Sequence, residues 1–258
     1  MRVALFVPCF VDQFAPGMAR ATLEVLAAQG VEASYPRNQT CCGQPAWNAG
    51  LPDAARPLAR HFAQTFADFD YVVAPSASCV AMVRRHYAGL LGRDSGSEGF
   101  DTARVFELCE FLWEVLGVRE IEGRFPHRVG LHVGCHGLRE LGLGNASERI
   151  RGRRPDPIRR LLESLAGIEI VDLARPDECC GFGGTFAVGE PEMSAQMGRA
   201  RLADHAAAGA EVLVSADPSC LLHLGGLIER QARAWPVLHV AEVLAGHAWP
   251  RSQEVEGA

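Results

Sequence analysis

A cysteine constellation that occurs twice constrains this chain more than any other feature. Cys9, Cys41-Cys42-Gly43 and Cys79 are followed by Cys135, Cys179-Cys180-Gly181 and Cys220, and these eight are all but one of the nine cysteines in 258 residues. Each half presents a single cysteine, a Cys-Cys-Gly triplet and a second single cysteine, in that order. The order is too regular for scattered core thiols and points to two bound metal centres. A fold for this sequence must therefore gather thiols that lie dozens of residues apart, and must do so twice.

The segments before the cysteines say how. Val3-Ala4-Leu5-Phe6-Val7-Pro8-Cys9 aligns with Val129-Gly130-Leu131-His132-Val133-Gly134-Cys135 at one constant offset, and both read as buried strands that end at a cysteine. Tyr71–Ala74 before Cys79 and Val212–Val214 before Cys220 repeat the arrangement, with weaker strands expected at Val31–Tyr35 and Ile168–Leu173. Helical patterns lie between them. Ala19, Leu23 and Leu26 share a face between Pro16 and Gly30; Ile158, Leu161, Leu162 and Leu165 follow Asp156-Pro157 and stop at Gly167; another helix runs from Pro191 to Gly209. Glu110-Phe111-Leu112 and Glu242-Val243-Leu244 mark equivalent closing helices.

Three strands alternating with helices in each half require a mainly parallel sheet covered by helices. The expectation is an α/β fold of two similar Rossmann-like lobes related by internal duplication, residues 1–122 and 123–258, joined near Gly117–Pro126. In such sheets the loops after the strands gather at one edge, where ligands bind. Four thiolates per lobe then converge into two pockets at the sheet edges. The stretch from about Gly142 to Pro157 has no counterpart in the first half and reads as an insertion.

Composition narrows the function classes. Apolar residues are 48% and charged residues 22%, the balance of an ordinary globular protein, with disorder expected only after Trp249. A net charge of -6 excludes the clustered basic footprint of a nucleic-acid binder. The N-terminus starts like a strand rather than an export signal, and no apolar run is long enough to insert in a membrane, so a reducing cytoplasmic setting is expected. A disulfide between neighbouring Cys41 and Cys42 would be strained, because a trans peptide sets Cα atoms about 3.8 Å apart, below the usual disulfide range of about 4.4–6.8 Å.

Soft thiolate ligands suit zinc or iron–sulfur clusters. Structural zinc commonly uses close C-x-x-C knuckles, and the sequence has none. Dispersed ligands with a vicinal pair fit a larger inorganic core. Gly43, Gly181, Gly183 and Gly184 allow close backbone approach and expose N–H groups to sulfur.

The motifs Cys41-Cys42-Gly43-Gln44-Pro45, Ser76-x-x-Cys79, Cys179-Cys180-Gly181-Phe182-Gly183-Gly184-Thr185-Phe186 and Asp217-x-x-Cys220-Leu221 resemble those of the CCG-domain, cysteine-rich proteins over essentially the whole chain. That family includes the cluster-bearing subunit of heterodisulfide reductase, the iron–sulfur subunit of glycolate oxidase and the small iron–sulfur subunits of bacterial lactate-oxidising complexes, the last being most similar. The resemblance implies up to two iron–sulfur clusters, four-iron four-sulfur or another type, held by Cys9, Cys41, Cys42, Cys79, Cys135, Cys179, Cys180 and Cys220. It also implies an electron-transfer subunit of a multi-subunit L-lactate-oxidising complex, with a second iron–sulfur protein among its partners. Family motifs end in C-x-x-C, whereas Ser76 and Asp217 occupy the first of those positions here. A cluster-dependent thiol or disulfide reductase and a zinc-stabilised scaffold are the competing classes. The chain has no Rossmann glycine fingerprint, P-loop or flavin motif for hydride chemistry of its own.

Other residues read more plainly. Cys109 shares a helical face with Val105, Leu108, Leu112 and Leu116 and is read as core. Ser76 and Asp217 are either weak oxygen ligands or helix caps. His132 within its strand, and His136 next to Cys135, are read as structural, although His136 could also hydrogen-bond a sulfur or ligate. The arginines at 149, 151, 153, 154, 159 and 160 are read as a solvated basic loop rather than a docking site.

Overall fold

Two parallel four-stranded sheets, each flanked by helices, make up an α/β molecule; the computed structural model describes residues 1–92, 100–148, 155–231 and 235–247. The first half runs β1 (Val3–Leu5), α1 (Cys9–Phe14), α2 (Pro16–Ala28), β2 (Ala33–Ser34), α3 (Gln44–Asn48), α4 (Pro52–Thr65), β3 (Tyr71–Ala74), α5 (Ala77–Leu91), β4 (Val105–Glu107) and α6 (Leu108–Glu110). A wide-turned helical segment, Phe111–Val115, closes it. The second half runs β5 (Arg128–His132), a similar segment at His136–Leu141, α7 (Pro157–Glu163), β6 (Glu169–Ile170), α8 (Thr185–Gly189), α9 (Pro191–Ala207), β7 (Val212–Ser215), α10 (Pro218–Arg230), β8 (Val237–His239) and α11 (Val240–Leu244).

The two sheets have the same strand order, β2-β1-β3-β4 and β6-β5-β7-β8, and every pairing is parallel. Register repeats as well: Val3 lies opposite Tyr71 and Val129 opposite Val212. The expected strands are present but shorter, two residues each at β2 and β6. A fourth strand per sheet was not expected from the sequence. β4 and β8 are three residues long, and the last residue of each already caps the following helix: Glu107 Oε2 accepts from Cys109 N at 2.8 Å, and His239 Nδ1 accepts from Ala241 N at 3.1 Å. Val105 therefore sits in a strand and shares no helical face with Cys109, which is nevertheless fully buried in the core.

Helix ends follow their sequence signals. Pro16 and Pro191 occupy the first positions of α2 and α9, and Gly30 and Gly209, at φ 74°, end the corresponding turns. Asp156 Oδ1 accepts from Arg159 N at 3.1 Å at the start of α7. Arg159 and Arg160 pair with Glu163 at 3.3 and 3.4 Å, as expected of a solvated face. Arg149, Arg151, Arg153, Arg154 and the stretch from Trp249 onward lie outside the described residues.

The halves interlock. The closing helices reach across: α11 packs on α2 of the first half as well as on α7 of its own, and α6 packs on α7 of the second half. α5 likewise packs on the 136–141 segment, and α1 on α10. Neither apolar cluster is confined to one half: Phe6, Phe62 and Tyr87 share one with Val129, Leu161 and Leu244, while Leu5, Val11 and Met18 share the other with Leu213, Leu221 and Leu224. The N-termini of α5 and α10 meet where the halves join. There Ala77 N donates to Ala216 O at 3.2 Å and Ser78 N donates to Asp217 Oδ2 at 2.8 Å.

Candidate metal centre

Each cysteine motif follows a strand, as parallel topology demands. Cys9 opens α1 directly after β1 and Cys135 follows β5; Cys79 and Cys220 lie in the first turns of α5 and α10 rather than in loops. The two Cys-Cys-Gly triplets form matching turns, because Gly43 at φ 85° and Gly181 at φ 90° adopt a left-handed backbone that other residues resist. Gly43 leads straight into α3, while Gly183 and Gly184, at φ 55° and 65°, lead into α8.

Within each half the sulfurs form a continuous chain. Cys9 and Cys41 Sγ atoms are 3.5 Å apart and those of Cys42 and Cys79 3.4 Å, with a Cys41–Cys42 contact between the pairs. The second half repeats it: Cys135 touches Cys179, Cys179 touches Cys180, and Cys180 and Cys220 are 3.1 Å apart. All eight thiols line one cavity of about 80 Å³ at the junction, together with Phe10, Gln44, Asn48, His136 and Phe182. The sequence reading of two separate pockets thus becomes one cleft with a sulfur quartet from each half. The meeting of α5 and α10 is what merges them.

The electrostatics of the quartets favour partial ionisation. Hydrogen bonds from Cys42 and then Cys9, with Gly43 N donating at 3.4 Å, pull the Cys41 thiol down to about 3. Cys135 and Cys180 do the same for Cys179, where Gly181 N donates at 3.3 Å. The donors Cys9 and Cys135 are pushed up by those same bonds and by burial, as are Cys42 and Cys180. Phe182 N adds a donor to Cys180 Sγ at 3.5 Å. Four thiols in contact, one of them a ready thiolate and supplied with backbone N–H groups, are a donor set for a soft metal. By donor chemistry the residues present suit a soft metal, a single ion or an iron–sulfur centre, and sulfurs 3.1–3.5 Å apart are near the spacing round one ion.

Ser76 and Asp217 are buried helix caps. Ser76 Oγ accepts from Cys79 N at 3.3 Å; Asp217 Oδ1 accepts from Ser219 N at 3.1 Å while its other oxygen holds Ser78 of the first half. His136 bridges the halves, with Nε2 3.2 Å from Gln44 Nε2 and Nδ1 3.6 Å from Cys135 Sγ.

His132, read from the sequence as structural, lies against the second half's sulfurs. Its imidazole is 1% exposed, and its ligand atom and the sulfurs of Cys180 and Cys220 all lie within 4.8 Å of one another. Burial, then Arg201, pushes the ring down to about 4, so it is neutral at physiological pH. The signal was present in the repeat itself, since His132 stands where the first half has Phe6.

The CCG cysteine-rich domain model matches residues 3–84 and 129–225. Lactate utilization protein A of Exiguobacterium sp. is 39% identical over 247 residues, spanning 94% of this chain and 96% of the relative. The proteins of that name from Shouchella clausii and Geobacillus thermodenitrificans are 40% and 38% identical, each spanning 95% of this chain and 98% of the relative. Among the described residues no helix is long and apolar enough to cross a membrane.

Proposed function

The chain belongs to the CCG cysteine-rich domain family, and from that membership we propose that it serves lactate utilization as an iron–sulfur electron-transfer subunit. Its partners would be the other subunits of a cytoplasmic lactate-oxidising complex, a second iron–sulfur protein among them. The observation that carries the reading is the convergence of all eight repeat cysteines on one cleft as two sulfur quartets.

When bound, an iron–sulfur centre supplies one-electron redox chemistry. The chain's own residues set its surroundings. Cys9, Cys41, Cys42 and Cys79 would hold one centre, and Cys135, Cys179, Cys180 and Cys220 the other. The N–H groups of Gly43, Gly181 and Phe182 point at sulfur and stabilise added negative charge there, an outer-shell influence on reduction potential. Ser76 and Asp217 fix the helix turns that carry Cys79 and Cys220. Because both quartets line the same cavity, an electron arriving at one half has the other half as its nearest neighbour.

Anaerobic purification tests the proposal. The protein is expected to carry iron and inorganic sulfide and to give an electron paramagnetic resonance signal on reduction, with Cys42→Ser and Cys180→Ser each removing the signal of its own half. Protein that takes up neither iron nor sulfide on anaerobic reconstitution would refute it. A second reading is favoured by the compact His132, Cys180 and Cys220 group, whose spacing also suits one zinc ion. Stoichiometric zinc without sulfide, in protein never exposed to oxygen, would establish that reading instead.

A further inference from the structure

The duplicated halves differ in what backs their sulfurs. In the first half, the residue just past β1 is Phe6, which packs edge-on against Phe62 of α4 and Phe66 at its C-terminal cap, at centroid distances of 5.0 and 5.8 Å. In the second half the equivalent position is His132, and the equivalent helix, α9, brings His205 to 6.3 Å together with buried Arg201 and Asp204. An apolar slot in one half is thus a polar slot in the other.

His132 is unusual among these buried groups. Both of its ring nitrogens lie away from solvent and have no hydrogen-bond partner among the described residues. An imidazole so placed keeps the full desolvation cost of a donor and an acceptor, which native structures rarely leave uncompensated. His205 shares the burial and the lack of partners but belongs to no cluster of metal-ligating atoms among the described residues. His132 does, with Cys180 and Cys220. Gly134 lies beside the same group: a Cβ there would make ordinary contacts of 3.7 Å with Cys220 Sγ and 4.0 Å with His132 Nε2.

Resting on the reading that the sulfur quartets hold metal, we infer that His132 Nε2 is a ligand of the second half's centre. That centre is then a mixed nitrogen–sulfur site, and the first half's is sulfur only. A neutral imidazole beside the four thiolates gives the second half a nitrogen donor that the first half lacks, and the identity of the ligands is one of the levers on a centre's potential.

Pulsed electron paramagnetic resonance on reduced, anaerobically loaded full-length protein reads the ligand directly. Protein grown with 15N-histidine and carrying Cys42→Ser, which leaves the second centre alone, is expected to show strong coupling to a histidine nitrogen. Adding His132→Cys, which offers sulfur in place of nitrogen, should abolish that coupling and shift the midpoint potential while iron content persists. Adding His136→Gln instead should leave the coupling intact, which separates His132 from the histidine beside Cys135. If His132→Cys prevents folding, nitrogen coupling that persists in His136→Gln at a second-half centre still supports the assignment. A loaded second centre without histidine coupling, or coupling lost in His136→Gln but kept in His132→Cys, overturns the inference alone. A wild-type protein that binds no metal, or binds it only in the first half, overturns it as well, and in the former case the proposed function falls with it.

Discussion

Gly43 and Gly181 hold equivalent turns, yet alanine should be far worse at one than at the other. Both residues sit at positive φ, 85° and 90°, so either substitution forces an L side chain into the left-handed region at about 1–2 kcal/mol. The space around them differs. At Gly43 an added Cβ would rest 3.5 Å from the Cβ and carbonyl oxygen of Ala55, which is ordinary contact. At Gly181 it would lie 2.6 Å from Ser194 O and 2.7 Å from Met197 Cβ. Ser194 O is backbone of α9, so the clash cannot be relieved by rotating a side chain. Overpacking of this kind costs about 1–3 kcal/mol more, which puts Gly181→Ala at about 2–5 kcal/mol and Gly43→Ala at about 1–2. The displaced turn also carries the N–H that Gly181 donates to Cys179 Sγ. Urea unfolding of the two variants, with iron and sulfide counted per chain, should show Gly43→Ala mildly destabilised and fully loaded, and Gly181→Ala depleted of the second centre only. Equal losses of stability in the two variants, or greater iron loss from Gly43→Ala, would refute the reasoning.

Two further outcomes follow from buried acids. Burial raises Glu107 from the ordinary 4.5 to about 8, so between those values the unfolded chain has released a proton that the folded chain keeps. Its contribution is favourable below pH 4.5 and is lost as pH rises toward 8, by about 1.4 kcal/mol per unit and about 5 kcal/mol in all. Glu107→Gln, which keeps an oxygen to cap α6, should therefore gain on the wild type between pH 5 and pH 8 in urea midpoints; parallel profiles would contradict this. Asp217→Ala strands the amides of Ser78 and Ser219 and should cost about 2–4 kcal/mol, against about 1 kcal/mol for Ser76→Ala, with iron content unchanged in both. Selective iron loss would mean that these oxygens ligate rather than cap.

The sequence carried the parts that are local and repeated. Strand-then-cysteine order put Cys9, Cys42, Cys79 and their counterparts at one edge of each sheet, because a parallel crossover always returns the chain in the same direction. β4 and β8 are masked by the closing helices that follow them without a break, since the last residue of each strand already caps the next helix. Nor could spacing reveal that two quartets share a cleft, since the bond from Ser78 to Asp217 joins residues 139 apart. His132 was hidden by its apolar neighbours Leu131 and Val133, and alternation along a strand cannot tell a core histidine from one aimed at sulfur. Comparison of the two copies, with Phe6 opposite His132, carries that information.

The exchanged closing helices bear on how such a cleft can work. To open it as a jaw, α11 would have to leave α2 and α6 would have to leave α7 in the same motion, while the Ser78–Asp217 bond at the pivot broke. Each half is thus in contact with the other's last helix. Contacts of this kind hold the eight thiols in one arrangement, and for the proposed electron relay that would leave little of the surroundings to reorganise.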